Sequence, residues 1–206
     1  MSDPAPKRRA TYQDVLDAPE RMVAEIVAGE LHTSPRPSGP ASVARSTLTA
    51  LLLPPFMLGG GGEPGGWILI AEPEIHIGES IVVPDLAGWR LETLPVVPDA
   101  AFIAVAPDWV CEVLSPSTER FDRAEKMPLY ASIGVSHGWL VHPRRRTLEA
   151  FRLHDGMWLA TGVYKDLDRA RIEPFGALEL DLSKLWEHVA LPTRASEEAA
   201  EYERSF

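Results

Sequence analysis

Residues 109–118 read Trp-Val-Cys-Glu-Val-Leu-Ser-Pro-Ser-Thr, and they carry the clearest information about the fold. Its first six residues are apolar except for Glu112, which is typical of a central strand that is buried on both faces. The Ser-Pro-Ser-Thr segment predicts a turn whose hydroxyl groups cap a helix. Residues 120–133 continue in a helical pattern that ends at Gly134, and Pro128 predicts a kink or a split within it. The stretch therefore indicates an α/β domain.

A second apolar run contains the other acid of interest. Residues 82–89 read Val-Val-Pro-Asp-Leu-Ala-Gly-Trp and predict a strand interrupted only by Asp85. An acid inside a buried strand is costly unless it is paired, protonated or bound to a metal. Adjacent strands lie about 4.8 Å apart, so two inward-facing acids can share one ion such as Mg²⁺.

Lys126 lies in the helix that follows the Glu112 strand. A helix that returns over this strand can bring the lysine to the two acids, where its ammonium would meet a phosphate or an attacking water. The alternative is a pair of acids at exposed strand ends with a surface lysine. Spacing alone leaves both interpretations open.

The rest of the chain alternates between helical and strand patterns. Ala28-Gly29 predicts a hairpin turn, Pro54-Pro55 is expected to stop a helix, and Asp155-Gly156 predicts a second hairpin. The predicted helices cover residues 11–17 and 40–53, with a short one from 181 or 182; the other predicted strands cover residues 22–28, 30–34, 67–70, 74–77, 137–141, 147–153, 158–163 and 177–180. We expect one domain over residues 11–191, with an arm at 1–10 and an acidic helix or tail at 192–206.

Composition limits the class of protein. The 206 residues contain one cysteine, Cys111, so no intramolecular disulfide can form, and a cytoplasmic location is expected. No run approaches the roughly 18 consecutive apolar residues of a membrane span, and residues 1–10 lack an apolar signal core. The formal net charge is −10, which is unusual for a nucleic-acid-binding protein. The basic runs at residues 7–9 and 144–146 are either phosphate-binding strips or solvated surface.

A family resemblance adds to these observations. The residues that carry it are Val110 to Thr118, Asp122-Arg123, Lys126, Tyr130-Ala131, Gly134-Val135 and Trp139 to Val141, with Glu25 to Leu31 and Val83 to Leu86 upstream. Together they resemble the signature of the Uma-type restriction endonuclease family of the PD-(D/E)-x-K nuclease superfamily. The similarity runs from about Thr11 to Leu185. It implies a restriction-endonuclease-like α/β core with a curved mixed β-sheet flanked by helices.

The resemblance also implies roles for individual residues. Asp85 matches the first metal-ligand acid and Glu112 the second, with the backbone carbonyl of Val113 as an additional metal ligand. The superfamily lysine usually stands two residues after the second acid, where this chain has Leu114, and in this family it matches Lys126 on the next helix. Glu25 matches a further acid that holds the metal or its waters.

The activity implied is endonucleolytic hydrolysis of nucleic acid, DNA above all, with Mg²⁺ as cofactor and Mn²⁺ as a substitute. The resemblance to the superfamily also implies a homodimer, because double-strand cutting generally needs two active sites. Two departures from the family pattern stand out: no histidine occurs in residues 35–41, and His142-Pro143 replaces the usual Asp-Pro. The first alternative is a catalytically inactive, DNA-binding or self-associating protein on a nuclease scaffold. A second is a carboxylate-pair hydrolase of sugars, which would act without metal.

Overall fold

A six-stranded mixed sheet forms the centre of the protein in the computed structural model, which describes residues 8–37, 39–59 and 64–190. The strands are β1 (Met22–Val27), β2 (Glu30–Pro35), β3 (Trp67–Ala71), β4 (Ile75–Ile77), β5 (Ser80–Val82), β6 (Leu86–Arg90), β7 (Trp109–Val113), β8 (His137–His142), β9 (Thr147–His154), β10 (Met157–Lys165), β11 (Arg169–Ala170) and β12 (Leu180–Asp181). The large sheet has the order β10-β9-β8-β7-β6-β3, in which only β7 and β8 pair in parallel. A smaller antiparallel sheet has the order β2-β1-β5-β4.

The helices fall on both sides of the large sheet. They are α1 (Tyr12–Leu16), α2 (Gly39–Leu52), α3 (Glu119–Phe121), α4 (Met127–Ser132) and α5 (Ser183–Trp186). The π-helical segment Leu53–Leu58 extends α2, and Asp122–Lys126 joins α3 to α4 as a second π-helical segment. We call the continuous run from Glu119 to Ser132 the site helix. It connects β7 to the parallel strand β8, as a parallel pair requires.

Strand β7 shows how alternation builds two cores. Its residues Trp109, Cys111 and Val113 join the cluster that α2 and α5 cover, whereas Val110 joins the cluster that contains Met127 and Tyr130 of the site helix. Successive side chains of a strand point to opposite faces, so Glu112 shares the face of Val110. The acid therefore projects toward the site helix and the smaller sheet.

The helical run from Gly39 to Leu58 spans 20 residues with a mean hydropathy of 1.3, which is long and apolar enough to cross a membrane by length and composition alone. Its buried residues Ala41, Ala44, Leu48 and Leu52 pack into the main core. A core helix passes the same test, so this property is weak evidence for a span.

Three local predictions are wrong. Pro54-Pro55 does not end the helical run but begins its π-helical extension. Residues 82–89 are not one strand, because the chain leaves β5 after Val82 and enters β6 at Leu86. Pro84 has no N–H for a ladder hydrogen bond, which favours this break. The strand predicted at residues 177–180 is reduced to β12, and the proposed tail at 192–206 and most of the arm lie outside the described residues.

Candidate active site

Asp85 and Glu112 face each other at the edge of β6 and β7. Leu86 pairs with Cys111 in antiparallel register. The preceding residue, Asp85, therefore lies opposite Glu112, the residue that follows Cys111. The Val113 N–H donates to Asp85 Oδ2 at 2.8 Å, and the Asp85 N–H lies 3.4 Å from Glu112 Oε2. Both carboxylates line one cavity. Asp85 occupies the bend before β6 rather than the strand position that the sequence predicted.

Lys126 lies within the same cavity and is almost completely buried, with 2% of its surface exposed. Its Nζ is 2.8 Å from Glu25 Oε1 and 2.9 Å from Glu112 Oε1. It also donates to the Val83 carbonyl at 3.1 Å. An ammonium has three N–H donors, so these three oxygens can account for all of them. Lys126 is therefore the central counterion of the site.

Glu25 reaches the site from β1 of the smaller sheet. Only 3% of its surface is exposed, and its Oε1 accepts the Val83 N–H at 2.8 Å in addition to contacting Lys126. These contacts hold the loop between β5 and β6 against β1. The structure thus brings Glu25 together with Asp85, Glu112 and Lys126 in one cavity, as expected, while the roles of these residues remain predictions.

The site helix presents three polar side chains on one face. Asp122, Lys126 and Tyr130 follow each other at intervals of four residues, which places them on one side of a helix. The Tyr130 hydroxyl donates to Glu112 Oε1 at 2.6 Å, and Asp122 lines the cavity with 4% of its surface exposed. No role was predicted from the sequence for Asp122 or Tyr130, although their spacing from Lys126 indicates a shared helix face.

Arg45 is a further residue near the site for which the sequence predicted no role. It lies on α2, and its Nη1 is 2.6 Å from Glu72 Oε1 and 3.4 Å from Asp85 Oδ1. Its side chain is 17% exposed. Asp85 is 40 positions away along the chain. Arg45 is the one charged residue of α2 and has no motif around it, so no local pattern could identify this contact.

The acids outnumber the cation at the centre of the site. Burial raises the pKa of Asp85 above its ordinary value. Burial also raises the pKa of Glu112 well above the usual range, although Lys126 opposes the shift. For Asp122, burial raises the pKa to about 6. Burial alone would lower the pKa of Lys126, but Glu112 and Glu25 outweigh it and raise that pKa well above 10.5. The excess negative charge must be neutralised by protons or by another cation.

The residues present fit a hard divalent cation. Lys126 and Tyr130 contact Glu112 Oε1, and the Val113 N–H bonds to Asp85 Oδ2, which leaves Glu112 Oε2 and Asp85 Oδ1 as the less engaged oxygens. Within residues 8–37, 39–59 and 64–190, no three His, Cys, Asp or Glu side chains are grouped to hold a metal ion. Mg²⁺ commonly binds one or two carboxylates and keeps several waters. The cavity volume of about 40 Å³ leaves room for small species of this kind.

Val113 contributes its backbone N–H to the site. Val113 lines the cavity, and its N–H bonds to Asp85. Metal ligation by its carbonyl remains a prediction.

Comparisons with known proteins agree with this architecture. A solved structure from Anabaena variabilis, described as a "putative nuclease belonging to DUF820", superposes with a TM-score of 0.65 at 21% identity, covering 86% of this chain and 98% of its own. This likeness confirms the restriction-endonuclease-like fold. No curated protein matches the sequence at a significant level. Residues 10–183 match the Uma2 family, whose description is "Putative restriction endonuclease", and the chain belongs to this family.

Proposed function

We propose that the protein is a metal-dependent endonuclease that hydrolyses phosphodiester bonds of nucleic acid, DNA above all. The observation that carries the proposal is the placement of Asp85 and Glu112 opposite each other in the cavity that holds Lys126. This constellation occurs in a chain of a family described as a restriction endonuclease. Two carboxylates beside a buried cation suit phosphoryl chemistry, in which positioning and electrostatic stabilisation do most of the work.

The chain's own residues would position the reaction. Asp85 and Glu112 would hold Mg²⁺, or Mn²⁺ in its place, with the Val113 carbonyl as a further ligand. The bound ion would lower the pKa of a coordinated water and polarise the phosphoryl oxygen. Tyr130 and Lys126 both engage Glu112 Oε1, so they fix the orientation of this carboxylate.

Glu25 and Lys126 form the supporting part of the site. Glu25 holds Lys126 from the opposite sheet through its 2.8 Å ion pair, and it also fixes the Val83 N–H. Lys126 would stabilise developing negative charge or orient the attacking water. For this, its ammonium would have to release one of its three present acceptors. In this structure, Lys126 contacts Glu112 and would act on the reaction through it.

A basic turn supports nucleic acid as the partner. Residues 144–146, all arginine, join β8 to β9 at the end of the sheet where β7 also ends, because Val113 and Val141 are parallel partners. The Arg145 side chain is 66% exposed and lies 3.4 Å from Glu119 at the start of the site helix. Guanidinium groups bind phosphates in bidentate geometry. This local charge could attract DNA despite the net charge of −10.

The proposal includes two further expectations. A homodimer would supply the two active sites that double-strand cleavage requires, and the location would be cytoplasmic. Both can be tested on purified protein and in cells, by light scattering and by fractionation respectively.

The direct test is cleavage of supercoiled plasmid and of single-stranded DNA with Mg²⁺, with Mn²⁺ or with EDTA. Wild-type protein should cut with either metal and not with EDTA. Glu112→Gln should be inactive, whereas Glu125→Gln, the same substitution at an exposed position of the site helix, should cut normally. Equal activity of the two variants would refute the proposed site.

One observation favours the alternative of an inactive nuclease scaffold. The three contacts of Lys126 with Val83, Glu25 and Glu112 would suit a purely structural ion-pair network. That alternative predicts no cleavage of any nucleic acid and no divalent-metal binding. Calorimetric titration of wild-type protein with Mn²⁺ separates the two proposals even when no substrate has been found.

A further inference from the structure

The buried ammonium of Lys126 is poorly placed to bind a phosphate in this site. Lys126 is 2% exposed, and its ammonium already contacts three oxygens. To meet a substrate, it would have to give up one of these three buried acceptors, which is costly. A second cation close to the metal acids would be better placed to contact a phosphate directly.

Arg45 is such a cation. Its two ion-pair contacts, with Glu72 and Asp85, both use Nη1. Neither Nε nor Nη2 donates a hydrogen bond within the described part of the chain, and neither is among its buried unpaired atoms. A guanidinium carries five N–H donors in a planar fork, so most of its donors remain available to a ligand. Ala41, one turn earlier on α2, lines the cavity together with Glu72 and Asp85.

The contacts of Arg45 differ in strength. The 2.6 Å pair with Glu72 is short, and the 3.4 Å contact with Asp85 Oδ1 is long. Asp85 Oδ1 is also one of the two oxygens left for a metal. A metal cation bound to Asp85 Oδ1 would replace the long contact between Arg45 and Asp85. The short contact between Nη1 and Glu72 would remain. The guanidinium would then stay next to Asp85, with Nε and Nη2 not engaged in a hydrogen bond.

We infer that Arg45 is a catalytic residue that binds a non-bridging oxygen of the scissile phosphate, and that Glu72 positions its guanidinium. The inference rests on the proposed nuclease function and extends it by naming the group that recognises the phosphate. Arginine suits this role because its fork matches phosphate geometry, which lysine cannot reproduce. The competing account is structural: Glu72 follows β3, so the pair would only tie α2 to the end of that strand.

The test compares Arg45→Met, Arg45→Lys and the double variant Arg45→Met/Glu72→Gln with a control, Arg169→Met. Arg169 is 66% exposed and pairs with Asp181 outside the cavity. Plasmid cleavage with Mg²⁺, Mn²⁺ affinity by calorimetry and melting temperature are measured for each protein. These three readouts separate loss of phosphate recognition from loss of metal and from loss of folding.

Arg45→Met should cleave on the order of 10²-fold more slowly than wild type and bind Mn²⁺ at least as tightly, because a positive charge near Asp85 is removed. Arg45→Lys should recover only part of the rate, and the double variant should stay as slow as Arg45→Met. The inference is overturned if Arg45→Met cleaves like Arg169→Met, or if the double variant regains wild-type rate. If wild-type protein cleaves DNA and Arg45→Met cleaves equally fast, only the inference about Arg45 fails. If wild-type protein cleaves no nucleic acid, the proposed nuclease function fails too.

Discussion

Replacing Lys126 with methionine removes the only side-chain cation that touches Glu112 within the described residues, while keeping the aliphatic stem. Glu25 and Glu112 would then stay buried, with 3% and 2% of their surfaces exposed, and without a counterion. Breaking a buried pair by removing one partner costs about 3–5 kcal/mol. For a chain of this length, 1 kcal/mol shifts the melting temperature by about 2–4 °C. Without divalent metal at pH 8, Lys126→Met should therefore melt roughly 6–20 °C below wild type.

The loss of stability should depend on pH. Burial and neighbouring acids already raise the pKa of Glu112, and removing the ammonium raises it further. A carboxyl group with a raised pKa in the folded state stabilises the fold below its unfolded pKa, and this contribution is lost as pH rises through the folded pKa. The difference between wild type and variant should thus be smaller at pH 5 than at pH 8.

Thermal and urea unfolding at these two pH values provide the measurement. The matched control is Lys184→Met, which removes a half-exposed lysine that pairs with Glu187 on the surface and should change stability little. If Lys126→Met and Lys184→Met have the same melting temperature at both pH values, Lys126 is not the counterion on which the buried acids depend.

Two other variants test the same charge balance. Glu112→Gln keeps an acceptor for Lys126 and Tyr130 and removes one excess charge, so the metal-free protein should melt at or slightly above the wild-type temperature. Mn²⁺ binding, measured by calorimetry, should weaken strongly. A lower melting temperature with unchanged Mn²⁺ affinity would contradict this expectation, and Glu125→Gln serves as the control. Asp122 has a folded pKa of about 6 against an ordinary 3.8, so its stabilising contribution is present below pH 4 and lost as pH rises through 6. The free energy of unfolding of the wild-type protein should therefore fall between pH 4 and pH 8, and Asp122→Asn should reduce this fall by up to about 3 kcal/mol. The same pH dependence of the unfolding free energy in wild type and variant would refute this expectation.

The fold was largely readable from local patterns. The alternation in β7 and the turn residues of the hairpins act over a few positions, so the apolar run at 109–114 and the Ala28-Gly29 and Asp155-Gly156 turns predicted strands that the structure contains. The positive φ angles of 54° at Ala28 and 79° at Gly29 fit the predicted turn. Helix ends were less predictable, because Pro54-Pro55 can be accommodated where the helical run widens into a π-helical segment.

The candidate site divides in the same way. Asp85, Glu112, Lys126 and Glu25 could be named because each lies in a recognisable motif or interrupts an apolar run. The contacts of Lys126 could not be predicted, since the Val83 carbonyl is 43 positions away and its approach depends on the break between β5 and β6. Non-local geometry of this kind determines which donors are committed and which remain available to a substrate.

The pairing of Arg45 with Glu72 and Asp85 has the same origin. It arises from the packing of α2 against the large sheet, with Ala41, Ala44 and Leu48 in the shared core. A single arginine in a helix of apolar and small polar residues carries no signal of its partner. Only the assembled fold shows that this side chain reaches the acids.

Metal binding by Asp85 and Glu112 can be observed directly in an anomalous difference map from crystals of the wild-type protein soaked with Mn²⁺. We predict one strong peak in the cavity, coordinated by an Asp85 oxygen and a Glu112 oxygen at about 2.1 Å, the distance range of Mg²⁺-type ligands. A fully soaked crystal with no peak between these two carboxylates, in which Lys126 keeps all three contacts, would contradict the metal-dependent mechanism.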